Sequence, residues 1–185
     1  MTHEITTPLT KETAATLRAG DIIRLSGVIY TARDAAHKRM LEEYKTTGTF
    51  PFEMENAVIY YAGPAPAKPG AVIGPAGPTT SYRMDAYAPF LLDHGQTGMI
   101  GKGKRSDEVV EAMKRNKAVY FAATGGAAAL ISSHIKKACV IAYDDLGAEA
   151  IHRLEVEDFP CIVVIDSEGN NLYETEKAKY RLETK

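Results

Sequence analysis

The chain has 185 residues, of which 45% are hydrophobic, with 22 Lys and Arg against 24 Asp and Glu, for a net charge of -2. That length and apolar content suit one soluble domain with a buried core, and the charge offers no basic field for nucleic acid. No apolar run approaches the ~20 residues of a membrane span, and the polar start Met1-Thr2-His3-Glu4 lacks a basic-then-apolar leader, so a cytoplasmic location is expected.

In chain order, residues 1–20 read as a polar lead holding a short helix, Lys11 to Arg18, stopped by Gly20. Asp21 to Ala32 is rich in β-branched residues and predicts a strand, with Gly27 as a bulge. Ala36, Met40, Leu41 and Tyr44 recur at helical spacing, so a helix begins near Arg33. Arg33 and His37 share a face of it; at a strand-to-helix junction they either line an anion site or lie solvated on the surface.

After a polar connection over 45–56, Ala57 to Ala62 is a compact strand, and the Pro-rich run 63–70 a stiff loop within the same domain. Gly74-Pro75-Ala76-Gly77-Pro78-Thr79-Thr80-Ser81-Tyr82-Arg83 combines rigid punctuation, three adjacent hydroxyls and a guanidinium. It reads as a loop built to hold a carboxylate, or as an ordinary turn and helix cap. Arg83 to His94 predicts a helix with Pro89 as a kink, closed by Gly95.

The run Gly98 to Ser106 imitates a phosphate-binding P-loop, with Gly98, Gly103 and Lys104 in register, but Arg105 stands where a magnesium-ligating hydroxyl is required. The helix behind it opens Ser106-Asp107-Glu108, whose carboxylates repel a polyphosphate. A nucleotide site is therefore disfavoured; Lys102 or Lys104 projects toward a smaller anion or into solvent.

The remainder alternates: helix to Lys117, strand Ala118 to Ala122, helix Gly125 to Ile135, strand Cys139 to Tyr143, helix Leu146 to His152 and strand Cys161 to Asp166, then a turn into Leu172-Tyr173. This predicts a mixed α/β domain with helices packed on a sheet, a site among the loops at one sheet end, and a charged fraying tail over 174–185. Cys139 and Cys161, both in strand-like runs, are read as small buried hydrophobes without metal-ligand spacing.

Several of these runs resemble one family. Ala32-Arg33-Asp34-Ala35-Ala36-His37-Lys38-Arg39, Gly77-Pro78-Thr79-Thr80-Ser81-Tyr82-Arg83-Met84-Asp85, Ile100-Gly101-Lys102-Gly103, Gly125-Gly126-Ala127-Ala128-Ala129-Leu130, Tyr143-Asp144-Asp145-Leu146-Gly147 and Asp158-Phe159-Pro160 are similar, in this order, to the β subunit or C-terminal domain of class I fumarate hydratases and their L-tartrate dehydratase relatives. The resemblance implies a single swivelling β/β/α domain over 1–185. Its partner would be an α subunit whose cysteines hold a 4Fe-4S cluster, with an open iron acting as Lewis acid on a small dicarboxylate. A homodimer of this chain is left open.

The implied reaction is reversible hydration of fumarate to (S)-malate by a hetero-oligomer, active only with the α subunit. Carried over by position, Arg33, Thr80, Arg83 and Lys102 bind substrate and Thr79 is the catalytic base, needing a neighbour to take its proton. His37 either transfers protons or orients the site. The sequence departs from the family at Ser81-Tyr82, where small residues are expected, and at Lys104, where asparagine is usual. A tartrate or other hydroxy-diacid dehydratase, or a carboxylate-binding assembly module without activity, are the alternatives.

Overall fold

The computed structural model describes residues 1–123 and 128–179. The motif Gly125-Gly126 lies outside these residues. Strands β1 (Thr2–Thr6), β2 (Ile22–Thr31), β3 (Val58–Tyr60), β4 (Gly98–Gly101), β5 (Val119–Ala123), β6 (Ile135–Ala142) and β7 (Ile151–Ile165) alternate with helices α1 (Lys11–Thr16), α2 (Asp34–Thr47), α3 (Ala88–Asp93), α4 (Asp107–Asn116), α5 (Ala128–Ser133) and α6 (Leu172–Lys179). Single 3-10 helices span Ser81–Met84 and Asp144–Glu149.

Parallel strands β2, β3, β4 and β5 stand side by side, and β7 runs antiparallel to both β5 and β2. The five strands thus close on themselves, with β1 added to β2 and β6 to β7. Closure leaves an inside and an outside face, and strand alternation sorts the side chains between them. Leu25, Ile29, Val58, Tyr60, Ile100, Val119, Phe121 and Val163 gather in one core with Leu9 and Leu17. Their neighbours Ile59, Tyr61, Met99 and Tyr120 join a second core, against Ala36 and Met40 of α2, Leu91 and Leu92 of α3, and Val109 and Met113 of α4. This is the mixed α/β architecture anticipated from the alternation.

Local chemistry explains most boundaries. Thr10 and Ser106 cap α1 and α4 by accepting from Thr13 N and Val109 N. Gly48, in the left-handed region at φ 71°, ends α2. The register shift between Leu25 and Gly27 is the bulge expected at that glycine.

Other elements differ from the expectation. The polar lead contains β1, whose alternating exposure reflects pairing in register with Ile22 to Ser26. The helix expected over 83–94 is divided into the 3-10 helix and α3, and Pro89 lies in α3's first turn, where a missing N–H costs nothing. Gly98–Gly101 is a fully buried strand, so only the residues after it form the basic turn.

Leu146 to His152 is not a helix running to 152. It is a 3-10 helix ending at Glu149, followed by one fifteen-residue strand, Ile151–Ile165, that absorbs all but Asp166 of the strand expected from Cys161 to Asp166. The charged residues Glu155, Glu157 and Asp158 masked that strand, in which Leu154, Val156, Phe159, Cys161 and Val163 are buried in alternation and Ile151, Val164 and Ile165 are buried at its ends. Cys161 is buried as expected but Cys139 is exposed, because β6 is an edge strand with only β7 beside it. Leu172–Lys179 forms α6, and the rest of the expected tail, 180–185, lies outside the described residues.

Candidate active site

The parallel strands β2, β3 and β4 end at one rim of the closed sheet, and the segments leaving them carry every candidate residue: Arg33 and His37 after β2, Thr79, Thr80 and Arg83 after β3, Lys102 after β4. Such a rim is where α/β sheets collect their functional loops. Three buried tyrosines from the strand ends hold these loops. The Tyr60 hydroxyl donates to Ala76 O, Tyr61 accepts from Arg105 Nη2 at 3.3 Å, and Tyr120 donates to Gly103 O at 2.9 Å. A buried phenol requires a partner, and here each partner belongs to a loop of the site.

Arg33 is the N-cap of α2 and makes no capping bond. Asn, Asp, Ser or Thr would serve a helix start better, so a local rule is broken where a guanidinium is presented instead. Its Nε lies 3.8 Å from Asp34 Oδ1 and 3.4 Å from Glu149 Oε1. Arg83 Nη2 donates to Asp34 Oδ2 at 2.8 Å. Two arginines from separate segments therefore meet on one carboxylate, with Arg83 the more exposed.

The hydroxyl loop is fastened by its backbone. Thr79 N donates to Tyr61 O at 2.7 Å, Thr80 bridges to Lys102, and Ser81 N donates to Lys102 O at 2.9 Å. Ser81 is fully buried; its Oγ accepts from Lys102 N at 3.0 Å and lies 2.8 Å from the Tyr120 hydroxyl. Since Gly103 O can only accept, Tyr120 gives it its proton, and Ser81 donates to Tyr120. Ser81, one of the departures from the family pattern, is thus a strut between the two loops. The Thr79 and Thr80 hydroxyls have no hydrogen-bond partner among the described residues, and the Lys102 side chain is exposed.

His37 lies beneath this surface, fully buried, its ring edge-on to Tyr61 with centroids 5.4 Å apart. Its Nδ1 lies 2.8 Å from Arg33 O, and a carbonyl only accepts, so Nδ1 carries the proton and Nε2 is a bare, buried acceptor. Burial lowers its pKa to about 4, an effect that the Arg33 carbonyl opposes and the nearby Arg105 charge reinforces. The ring is neutral at pH 7.

Sequence reasoning missed Arg105, Asp85, Ser81, Tyr120, Asp34 and Glu149. In the sequence Arg105 stands out as a mismatch to the P-loop pattern, with no role of its own. Its guanidinium is buried, donating to Asp85 Oδ1 at 2.7 Å and standing 4.9 Å from the Tyr120 ring and 5.2 Å from the Tyr61 ring. The only available signal was an arginine immediately before a helix cap.

For a metal or cluster the donor set is poor. Cys139 is exposed on β6 and Cys161 buried on β7, and among the described residues no three His, Cys, Asp or Glu side chains are grouped to hold an ion. The described residues do not fit an iron–sulfur cluster. What the rim offers is cations and hydroxyls for an anionic ligand.

The model of the fumarase C-terminus family matches residues 2–176. Fumarate hydratase 2 of Leishmania major is 38% identical over 156 residues, 83% of this chain and 28% of that protein. The anaerobic class I fumarate hydratase of Escherichia coli is 38% identical over 154 residues, 82% and 28% respectively. A Methanocaldococcus jannaschii protein named "Putative L(+)-tartrate dehydratase subunit beta" is 40% identical over 172 residues, 90% of this chain and 88% of its own. The chain spans little more than a quarter of the two fumarate hydratases and most of the tartrate dehydratase subunit. A match running through β1 to α6 places this chain in the fumarase C-terminus family.

Proposed function

We propose that the chain is the β subunit of an iron–sulfur-dependent fumarate hydratase, a cytoplasmic hydro-lyase that interconverts fumarate and (S)-malate when joined to an α subunit bearing the 4Fe-4S cluster. The observation that carries this reading is the meeting of Arg33 and Arg83 on Asp34, together with exposed Lys102 and the hydroxyls of Thr79 and Thr80, which have no hydrogen-bond partner among the described residues. Paired guanidiniums and an ammonium suit a substrate with two carboxylates.

In this reading Arg33 and Arg83 bind substrate carboxylate, with Lys102 and Thr80 completing the anion's contacts. Thr79, anchored through its N–H to Tyr61 O, is the candidate for proton exchange at the reacting carbon, for which its neutral hydroxyl needs a basic neighbour to take up the proton. His37, held under the surface with its Nδ1–H on the Arg33 carbonyl, orients the start of α2 and with it Arg33. The cluster belongs to the partner, and no step is assigned to it on this chain's residues. Among the described residues no helix is long and apolar enough to cross a membrane.

The test is co-expression with a candidate cluster-bearing subunit, anaerobic reconstitution with iron and sulfide, and loss of fumarate followed by ultraviolet absorbance. Association and fumarate turnover are expected. Chains that fail to associate, or a loaded complex that leaves fumarate, malate and tartrate untouched, overturn the proposal. The tartrate enzyme is the second reading, favoured by the relative whose length this chain nearly matches; faster turnover of tartrate than of malate selects it.

A further inference from the structure

Arg33 is supported by a residue from a distant part of the chain. The segment after β6 turns at Tyr143, left-handed at φ 59°, and its 3-10 helix Asp144–Glu149 lies on α2. Arg39 donates two bonds to Asp145 at 2.7 and 2.8 Å, and the Tyr143 hydroxyl donates to Glu43 at 2.6 Å. The Arg39 guanidinium stands 4.9 Å from the centre of the Tyr143 ring. This dock delivers Glu149 to the head of α2.

There Glu149 Oε1, Arg33 Nε and Asp34 Oδ1 are all shielded from solvent without a hydrogen bond of good geometry, although Glu149 Oε1 is 3.4 Å from Arg33 Nε. Buried polar atoms of opposite charge at that separation need only a small side-chain adjustment to pair, and leaving them unpaired is costly. The stem of Arg33 is confined as well. A Cβ at Gly63 would lie 3.1 Å from Arg33 Cδ and Nη1 and 3.0 Å from Ala148 O, so Gly63 and Ala148 flank it.

We propose that Glu149 is the positioning residue for Arg33: its carboxylate takes the Nε–H edge of the guanidinium and turns the opposite edge toward the substrate carboxylate. The substrate half of this statement rests on the reading of Arg33 as a carboxylate ligand. Asp34 Oδ2 is bonded to Arg83 and its Oδ1 stands 3.8 Å from Arg33 Nε, so Glu149 at 3.4 Å is the nearer carboxylate. An arginine held in place before binding loses less freedom on capturing an anion.

The experiment has two arms. In the full chain, the Arg33 Nε–H resonance is identified by its loss in Arg33→Lys. Glu149→Gln keeps the shape and removes the charge; it should shift that resonance and speed its solvent exchange by about tenfold while the melting temperature holds. Glu108→Gln, on the exposed start of α4, should do neither. In the complex with the cluster-bearing subunit, Glu149→Gln should raise KM for the diacid about tenfold and change kcat by less than about twofold.

An unmoved Arg33 resonance, or a fall in kcat at constant KM, overturns the proposal. If the wild-type complex turns over no diacid, the functional reading fails, while the Nε–H spectra still decide whether Glu149 holds Arg33. Should Glu149→Gln not fold, Glu149→Asp, which withdraws the charge by one methylene, is read by the same spectra.

Discussion

Arg105 and Asp85 form an ion pair with Nε 2.7 Å from Oδ1, the arginine side chain wholly removed from solvent and the aspartate nearly so. The second oxygen of Asp85 accepts from Ser106 N at 2.7 Å. One carboxylate therefore ties the end of the hydroxyl loop both to the turn after β4 and to the start of α4. The pair fixes the distance between the segment carrying Thr79 and Arg83 and the one carrying Lys102.

Arg105→Leu should destabilise the chain severely, because it leaves Asp85 with its charge and without its counter-ion. Removing one member of a buried pair costs about 3–5 kcal/mol. At ~2–4 °C per kcal/mol for a chain of this size, the melting temperature followed by circular dichroism should drop by about 6–20 °C. A drop under about 2 °C would mean the pair is not buried in solution.

Arg83→Ala should behave in the opposite way. Arg83 is exposed, and losing a surface ion pair costs at most about 1 kcal/mol, so the chain folds and assembles with its partner. Turnover of fumarate by the complex should nevertheless fall by about 100-fold or more, since a misheld substrate loses the reactive geometry. Assembly is checked by sedimentation, and activity near the wild-type level would remove Arg83 from the site.

His37 makes stability depend on pH. Its folded pKa, about 4, lies below the ordinary histidine value of 6.5, so between these values the unfolded chain binds the extra proton. Its contribution is complete above pH 6.5 and is lost as the pH falls toward 4, by about 3 kcal/mol in all. Urea midpoints at pH 7.5, 5.5 and 4.5 should decline, and the His37→Gln chain should show a smaller decline over the same range. Equal declines in both would assign the effect to other groups.

Gly101→Ala should damage the rim without touching a charge. A Cβ there would run into the Ser81 hydroxyl and meet Tyr61 Cδ2 at 3.0 Å, forcing apart the loop and the turn that Ser81 joins. Overpacking of this kind costs about 1–3 kcal/mol. Denaturant unfolding measures the loss, and pairing the change with Ser81→Gly, which opens the space, should recover part of it.

Arg33, Arg83 and Lys102 were legible because each sits beside turn chemistry: a strand-to-helix junction, a Gly-Pro loop, a Gly-Lys-Gly turn. The order of strands and helices was legible from alternating apolar runs. What stayed hidden depends on pairing between distant segments. β1 is too polar to announce itself and is made a strand by its neighbour β2. The long strand β7 is interrupted by charged residues that face outward, and no local period identifies it. Arg105 and Glu149 look like surface charges in sequence; only the packing of Tyr61 and Tyr120, and the dock of Asp145 on Arg39, turn them toward the rim.

Strand β7 begins two residues after Glu149, runs antiparallel to β2 along most of its length, and then seals the sheet against β5. The side chain facing Arg33 is thus attached to the last strand needed to complete the ring. The dock of Tyr143 and Asp145 on α2 and the pairing of β7 with β2 hold the two sides of Glu149, so the carboxylate facing Arg33 is fixed from both directions along the chain.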